Sequence, residues 1–277
     1  MKHKAASATM ERTPMAHTSM EPMVSFAEML RTTDPELSKV VRIPALWFPK
    51  THIRRDQAKL RRHERDRFLC AYQALVNNGT LGQFVKIHQE THYMHMSERF
   101  LPWHRVFLLL LEHALQSVHP DVTIPYWNWT KATSQTFPAW LASFTPTVPM
   151  PPPLSPITVT RSPGPSAWLA TITSSTPGVM ASGNFSAFTG GLENIHNGVH
   201  VWVGGTMSWI ATAPADPIFW MHHANIDRLW AVWQVAHPGL NPNLPGPPSS
   251  PTSPVMDPWS YTEPNTRSIA AMGYKYV

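Results

Sequence analysis

The sequence predicts a mainly α fold with long Pro-rich loops and few short strands. Apolar residues recur at helical spacing in several separate segments, and stretches such as PTVPMPPPLSP and NPNLPGPPSSPTSP break them apart. Hydrophobic residues make up 43% of the 277 positions and charged residues 14%, a globular composition. Twelve Trp and eleven Phe can fill a large aromatic core.

Residues 1–45 carry Met, Thr, Ser and Pro without periodicity and read as an N-terminal extension, with one helix expected near Val24 to Arg31. Residues 46–277 read as a single domain. A helix is expected from Asp56 to Asn77, where Asn77-Asn78-Gly79 supplies a C-terminal stop. A second is expected over Leu81 to His95. A third begins near His104, runs through RVFLLLLEHALQSV and ends at Pro120. Residues 130–192 are rich in Pro, Ser and Thr and lack Asp and Glu, so an irregular connection is expected. Helical signals return at Glu193–His200 and Pro217–Val235, and the closing GYKYV reads as a short strand. No fixed-period repeat occurs. A histidine-bearing helix pair nevertheless stands on each side of the irregular stretch.

The formal net charge is +5, with Arg concentrated in RRDQAKLRRHERDR at Arg54–Arg67. Acidic residues interrupt that run and an apolar helix follows, so it reads as a solvated helix start and no nucleic-acid partner is expected. Cys70 is the sole cysteine, which excludes an intrachain disulfide, and its apolar context FLCAYQAL points to core packing. No run of about 18 apolar residues exists, so no membrane span is expected. The first twenty residues lack the apolar core of a secretory signal. The expected location is cytoplasmic, or outside the cell by a route that this chain does not encode.

His88, His92, His95 and His104 fall within seventeen positions. The i, i+4 and i, i+7 spacings bring the first three onto one helical face, and His104 opens the next helix. His196 and His200 are again i and i+4, and His223 lies on a separate helix in DPIFWMHHANIDRLW. Each cluster can therefore aim three imidazoles at one point. A lone histidine on an apolar helix is ordinarily a packed core residue, but two such clusters are hard to obtain by accident. Imidazole suits Zn, Cu, Fe and Ni. No Cys pair and no HExxH occurs, and acids are sparse near both clusters, which leaves copper or zinc. Three protein ligands leave a coordination position for an exogenous molecule.

FLPWHRVFLLLLEHAL resembles the first copper signature of tyrosinases, catechol oxidases and hemocyanins. HNGVHVWVGG followed by DPIFWMHHANIDRLWAVWQ resembles the second, and PYWNW resembles the family's short aromatic motif, with Asn128 where many members carry Asp. The resemblance runs from about Arg54 to Trp233, and the chain end is similar to the close of the bacterial catalytic domain. It implies a central four-helix bundle holding two copper ions, with O2 as co-substrate. By position, it implies His88, His95 and His104 as ligands of one copper and His196, His200 and His223 of the other. His223 rather than His222 matches the last ligand. The loop between His88 and His95 is shorter than in many bacterial relatives, which makes His92 a rival to His88. Tyr93 stands where some members carry a cysteine tethered to a histidine, so no tether is expected.

The implied activity is a tyrosinase: ortho-hydroxylation of monophenols and oxidation of o-diphenols to o-quinones. Phenols have a pKa near 10, so a base is expected. Glu193 and Asn197, i and i+4, are the candidates, although the spacing of Glu193 to His196 differs from the family's usual pattern. Glu193 could otherwise simply favour a helix N-terminus. Phe219, Val201 and Ile210 are expected to line the substrate pocket or to belong to the core. Asp227 is expected either to orient a ligand or to pair with a nearby Arg. Rival readings are an o-aminophenol oxidase, a catechol oxidase without hydroxylase activity, an oxygen carrier like hemocyanin, and a zinc hydrolase. Expected partners are a phenolic or aminophenolic small molecule and a copper-loading helper protein of the kind some bacterial relatives use.

Overall fold

A computed structural model describes residues 51–277. The expected helix at Val24–Arg31 and the expected extension over residues 1–45 lie outside the described residues. Helices dominate: α1 (Arg62–Asn77), α2 (Thr80–Glu90), α3 (Phe100–Val118), α4 (Ser166–Thr173), α5 (Thr176–Met180), α6 (Phe185–Val203) and α7 (Pro217–Ala236). The strands are β1 (His52–Arg54), β2 (Thr147–Val148), β3 (Ile157–Thr158) and β4 (Tyr274–Tyr276). β4 is the strand expected from GYKYV. It pairs in parallel with β1, His52 opposite Tyr274, and so ties the two ends of the described chain together.

Three boundaries differ from the sequence reading, each for a local reason. The helix expected from Asp56 is instead a 3-10 turn at Gln57–Lys59, and α1 begins only at Arg62. The Asp56 carboxylate accepts the Ala58 N–H, and Leu60 and Arg61 are extended. The helix expected to reach His95 stops at Glu90, followed by a 3-10 turn at His92–Met94. The Thr91 N–H still closes a helical bond to the Ile87 carbonyl at 3.0 Å, but the chain then tightens: the Thr91 carbonyl accepts the Met94 N–H at 3.1 Å and the His92 carbonyl the His95 N–H at 3.2 Å. His95 is thus presented by a turn, not by the helical face shared with His88. The third helix starts at Phe100, one turn before His104. Pro102 fits there, because the first-turn N–H groups of a helix have no intrahelical partner.

The largest correction concerns residues 130–192. They contain α4, α5 and the first half of α6. The Ser/Thr composition misled, because several hydroxyls bond back within the helices, such as Thr171 to Ala167 and Thr173 to Leu169. The Asn184 side chain caps α6 by accepting the Ala187 N–H. Cys70 is also corrected. It is exposed, because α1 buries the face of Phe68, Ala71, Tyr72, Leu75 and Val76.

One hydrophobic core runs from α1 to the C-terminal loops. Near its centre the Phe107 ring lies 4.5 Å from Trp220 and 4.7 Å from Trp103. Arg99 clamps the Pro-rich segment after α7 onto the start of α3. Its guanidinium donates to the Ser250 and Val255 carbonyls and to Asp257. No described helix is long and apolar enough to cross a membrane.

Candidate dinuclear metal centre

α2, α3, α6 and α7 converge so that their histidines meet. The ligand-capable nitrogens of His88, His95 and His104 lie within 4.8 Å of one another, as do those of His196, His200 and His222. His223 stands with the second group, its Nε2 3.1 Å from the His196 Nε2. The two groups face each other: the His104 and His223 rings stack at 4.2 Å, and those of His95 and His196 lie 6.4 Å apart. His92, the rival to His88, is exposed and gives the centre only its carbonyl.

Oxygen atoms fix the orientation of five rings from behind. The Nδ1–H of His88 donates to the Ile210 carbonyl at 2.9 Å, and that of His104 to Phe100 at 2.9 Å. His95 donates to the His92 carbonyl at 3.1 Å, His200 to Met207 at 2.7 Å, and His196 to the Asn197 Oδ1 at 3.0 Å. A neutral imidazole carries one N–H, so each of these bonds leaves the lone pair on Nε2, pointing inward. The Nε2 atoms of His88 and His104 are 3.4 Å apart. Facing lone pairs at that distance repel unless a shared cation lies between them. The His200 Nε2 is buried with no hydrogen-bond partner. An all-imidazole donor set with inward lone pairs and no thiolate or carboxylate ligand fits copper.

Burial holds all seven imidazoles neutral. It pushes His95 and His200 down to about 4, and His88, His104, His196, His222 and His223 well below the ordinary value. Neutral rings need release no proton to bind a metal. The same shift sets a pH dependence for the metal-free chain. Each group's folded pKa lies below its unfolded value near 6.5, so the unfolded state binds more protons in between. Stability is therefore full above about pH 6.5 and falls as the pH drops toward 4. Thermal melts of the chelator-treated protein should show a marked fall in Tm between pH 7 and pH 5.

Two parts of the sequence with no assigned role complete the centre. PYWNW braces the histidine turn of α7: the Trp127 N–H donates to the Met221 carbonyl at 3.0 Å, and the Trp129 indole N–H to the His222 Nδ1 at 2.9 Å. Gly204 and Gly205 form the turn that brings the Met207 and Ile210 carbonyls back over the centre. Both have positive φ, and a Cβ on Gly205 would lie 2.0 Å from the Thr160 carbonyl oxygen. The glycine pair was a visible signal of a tight turn; the identity of the returning carbonyls was not.

Phe219 is buried between the groups, 5.1 Å from His88 and 4.1 Å from His223 by ring centroids. Val201 and Ile210 are about half exposed, which corrects a purely core reading of Ile210. Tyr93 lies under the Arg99 guanidinium. Glu193 sits in the middle of α6, so its placement is not that of a helix N-terminus. Its Oε1 accepts the Met96 N–H at 2.7 Å, just past His95, and burial raises its carboxyl to about 7. Asp227 pairs with arginines rather than with a histidine. It accepts from Arg105, the residue after His104, from Arg54, and from the Tyr274 and Tyr276 hydroxyls.

The family model for the common central domain of tyrosinase matches residues 78–163 and 159–236, which include both histidine groups. The chain belongs to the tyrosinase family. The tyrosinase of Streptomyces antibioticus is 34% identical to it, over 76% of this chain and 94% of that protein. Grixazone synthase of Streptomyces griseus is 28% identical, over 72% of this chain and 89% of that protein. Two solved structures show the same fold. A functional unit of octopus hemocyanin superposes with a TM-score of 0.66 at 24% identity, covering 81% of this chain and 68% of that one. A polyphenol oxidase of Thermothelomyces thermophila gives 0.65 at 22% identity, covering 91% and 95%. This tyrosinase-family chain is therefore a copper-dependent oxidoreductase with a dinuclear copper centre and O2 as co-substrate.

Proposed function

We propose that the chain is a tyrosinase in the full sense, hydroxylating monophenols at the ortho position and oxidising o-diphenols to o-quinones. The observation that carries this reading is a buried carboxyl held beside the first histidine group: Glu193 Oε1 accepts the Met96 N–H at 2.7 Å, one residue past His95. Glu193 lines a cavity with Asn197, the hydrogen-bond partner of His196, and burial raises its carboxyl to about 7, which suits a base at physiological pH. A copper pair, when bound, supplies O2 activation and two-electron oxidation. The protein's own part is to hold six imidazoles, orient the ring and accept the phenol proton.

In this reading His88, His95 and His104 hold one copper, and His196, His200 and His223 the other. His223 is preferred to His222 on its tautomer. Trp129 can only donate, so the His222 Nδ1 carries a lone pair and its proton sits on Nε2, which then has no lone pair for a metal. His223 also stacks on His104, toward the opposite group. The variant His223→Gln should lose about one copper per chain, whereas His222→Gln should keep both. Metal analysis of the two dialysed proteins decides the assignment.

Glu193 takes the phenolic proton on Oε2 while Oε1 keeps the Met96 N–H. Asn197 holds His196 in register. Phe219, Val201 and Ile210 border the bound ring. Glu193→Gln keeps an acceptor for Met96 but removes the base. Monophenol hydroxylation should fall by roughly 100-fold or more, with a smaller loss on catechols. In the parent protein, monophenol turnover should rise with pH through about 7, as Glu193 ionises. Assays with a monophenol, a catechol and an o-aminophenol test the reading. Turnover of the last two without the first would make the protein a catechol or aminophenol oxidase.

Copper delivery by a helper protein belongs to the same proposal. Met96, Val201, Trp209 and Ile210 expose apolar surface on the segments that carry or brace His95, His200 and His88. Full copper uptake by the purified chain alone would remove the need for a helper.

A further inference from the structure

His95 is the member of its histidine group that no helix carries. His88 belongs to α2 and His104 to α3, whereas His95 lies in the connection between Glu90 and Phe100. It is half-buried where the other two are buried. A helical ligand keeps its place with its helix. A ligand in a connection keeps its place only as far as other elements fix that connection, and any freedom it retains is lost on binding and lowers affinity.

Two outside ties flank His95. On one side the Met96 N–H donates to Glu193 of α6 at 2.7 Å. Met96 has a φ of 53°, a left-handed conformation that a residue other than glycine keeps only where its surroundings hold it. On the other side the connection is tied to the Pro-rich segment 243–257. The Glu98 Oε2 accepts the Asn243 N–H at 2.6 Å. The Arg99 guanidinium donates to the Ser250 carbonyl at 2.8 Å, to the Asp257 Oδ2 at 3.2 Å and to the Val255 carbonyl. The Tyr93 ring, two residues before His95, lies against the same guanidinium at 5.2 Å. The segment is anchored in turn, because the Asp257 carbonyl accepts the Trp103 indole N–H at 2.6 Å and the Trp103 ring lies 5.1 Å from His104. Arg99 thus joins the His95 turn, the start of α3 and the segment.

The Arg99 side chain is fully buried. A buried charge with one carboxylate partner is a poor source of stability, since an apolar side chain of similar volume often serves as well or better. What the planar fork adds is geometry, because it fixes several acceptors at once in set directions.

We propose that segment 243–257, acting through Arg99, is a positioning element for His95 and sets the affinity of the copper held by His88, His95 and His104, but not that of the other copper. Arg99 is a positioning residue: it touches neither metal nor substrate. The proposal rests on each histidine group holding one copper.

The test measures the affinity for cupric ion by competition with a chelator, in two single-site backgrounds of the full chain. His196→Gln leaves the first group intact, and His104→Gln leaves the second. Arg99→Met, which fills the volume without the fork, is introduced into each. In His196→Gln it should weaken the remaining copper by about 10–100-fold, the range seen when a partner that orients a metal ligand is lost. In His104→Gln it should change the affinity by less than about threefold. Asp257→Asn keeps an acceptor for the Ser249 N–H and removes only the charge, so it should give a smaller loss confined to the same background, and it carries the test if Arg99→Met does not fold. Equal weakening in both backgrounds would make Arg99 a general stabiliser and overturn the proposal. So would an unchanged affinity in folded His196→Gln carrying either substitution. If His196→Gln alone holds no copper, the two-group reading of the centre fails, and the proposal with it.

Discussion

Asp227→Ala should lower the melting temperature by about 6–20 °C and leave much of the protein insoluble. Asp227 is buried between two buried arginines, Arg105 and Arg54, and Arg54 also pairs with Glu112 at 2.9 Å. Burial alone would raise its pKa, but the Arg105 and Arg54 guanidiniums overcome that and hold the carboxyl below its ordinary value. Removing the carboxylate leaves cationic charge uncompensated in the core and takes the acceptor from the Tyr274 and Tyr276 hydroxyls. Breaking a buried pair in this way costs about 3–5 kcal/mol, and in a domain of this size each kcal/mol shifts Tm by about 2–4 °C. The cluster joins α3 just after His104, α7 just after His223, and the β1–β4 pair. Copper content should therefore fall along with stability. Calorimetry and metal analysis on the same sample check both.

His104→Gln is expected to have the largest effect on activity. His104 is buried at the centre, its Nδ1–H held by the Phe100 carbonyl, its Nε2 facing His88 and its ring stacked on His223. Gln preserves size and polarity but offers no imidazole. The variant should bind about one copper per chain instead of two, and oxidase turnover should fall on the order of a thousandfold or more, because the reaction needs both metals. The fold should survive, since the replaced contacts are local. Unchanged circular dichroism with halved copper and lost oxygen uptake is the expected pattern.

The sequence made the helices around the histidines legible because their apolar spacing and their signatures agreed. α7 was placed almost to the residue, since Asp216 caps it and Pro217 starts it. The pairing at His196 and His200 was also visible, because i, i+4 geometry within a continuous helix needs no tertiary knowledge. His95 was different. Spacing puts it on the helical face of His88, yet the helix ends at Glu90 and a 3-10 turn at His92–Met94 presents His95 instead. Nothing in spacing alone reports that change of turn. Residues 166–192 differ from the loop their composition suggests because Thr171 and Thr173 bond back to carbonyls of their own helix. The carbonyls of Ile210 and Met207 that hold His88 and His200 were invisible for a simpler reason. A backbone group carries no side-chain signature, and only the path of the Gly204-Gly205 turn reveals where it arrives. Sequence spacing cannot decide between ligand support and an arginine partner for Asp227, because the fold brings Arg54 to it from the far end of the described chain.

The most direct test of the account is metal content and oxygen uptake measured together on the copper-loaded chain with 4-methylcatechol. A dinuclear copper oxidase should hold about two coppers per chain and show catechol-dependent oxygen consumption that stops when the copper is chelated and returns when copper is restored. One metal per chain, zinc in preference to copper, or two coppers without oxygen consumption would contradict it.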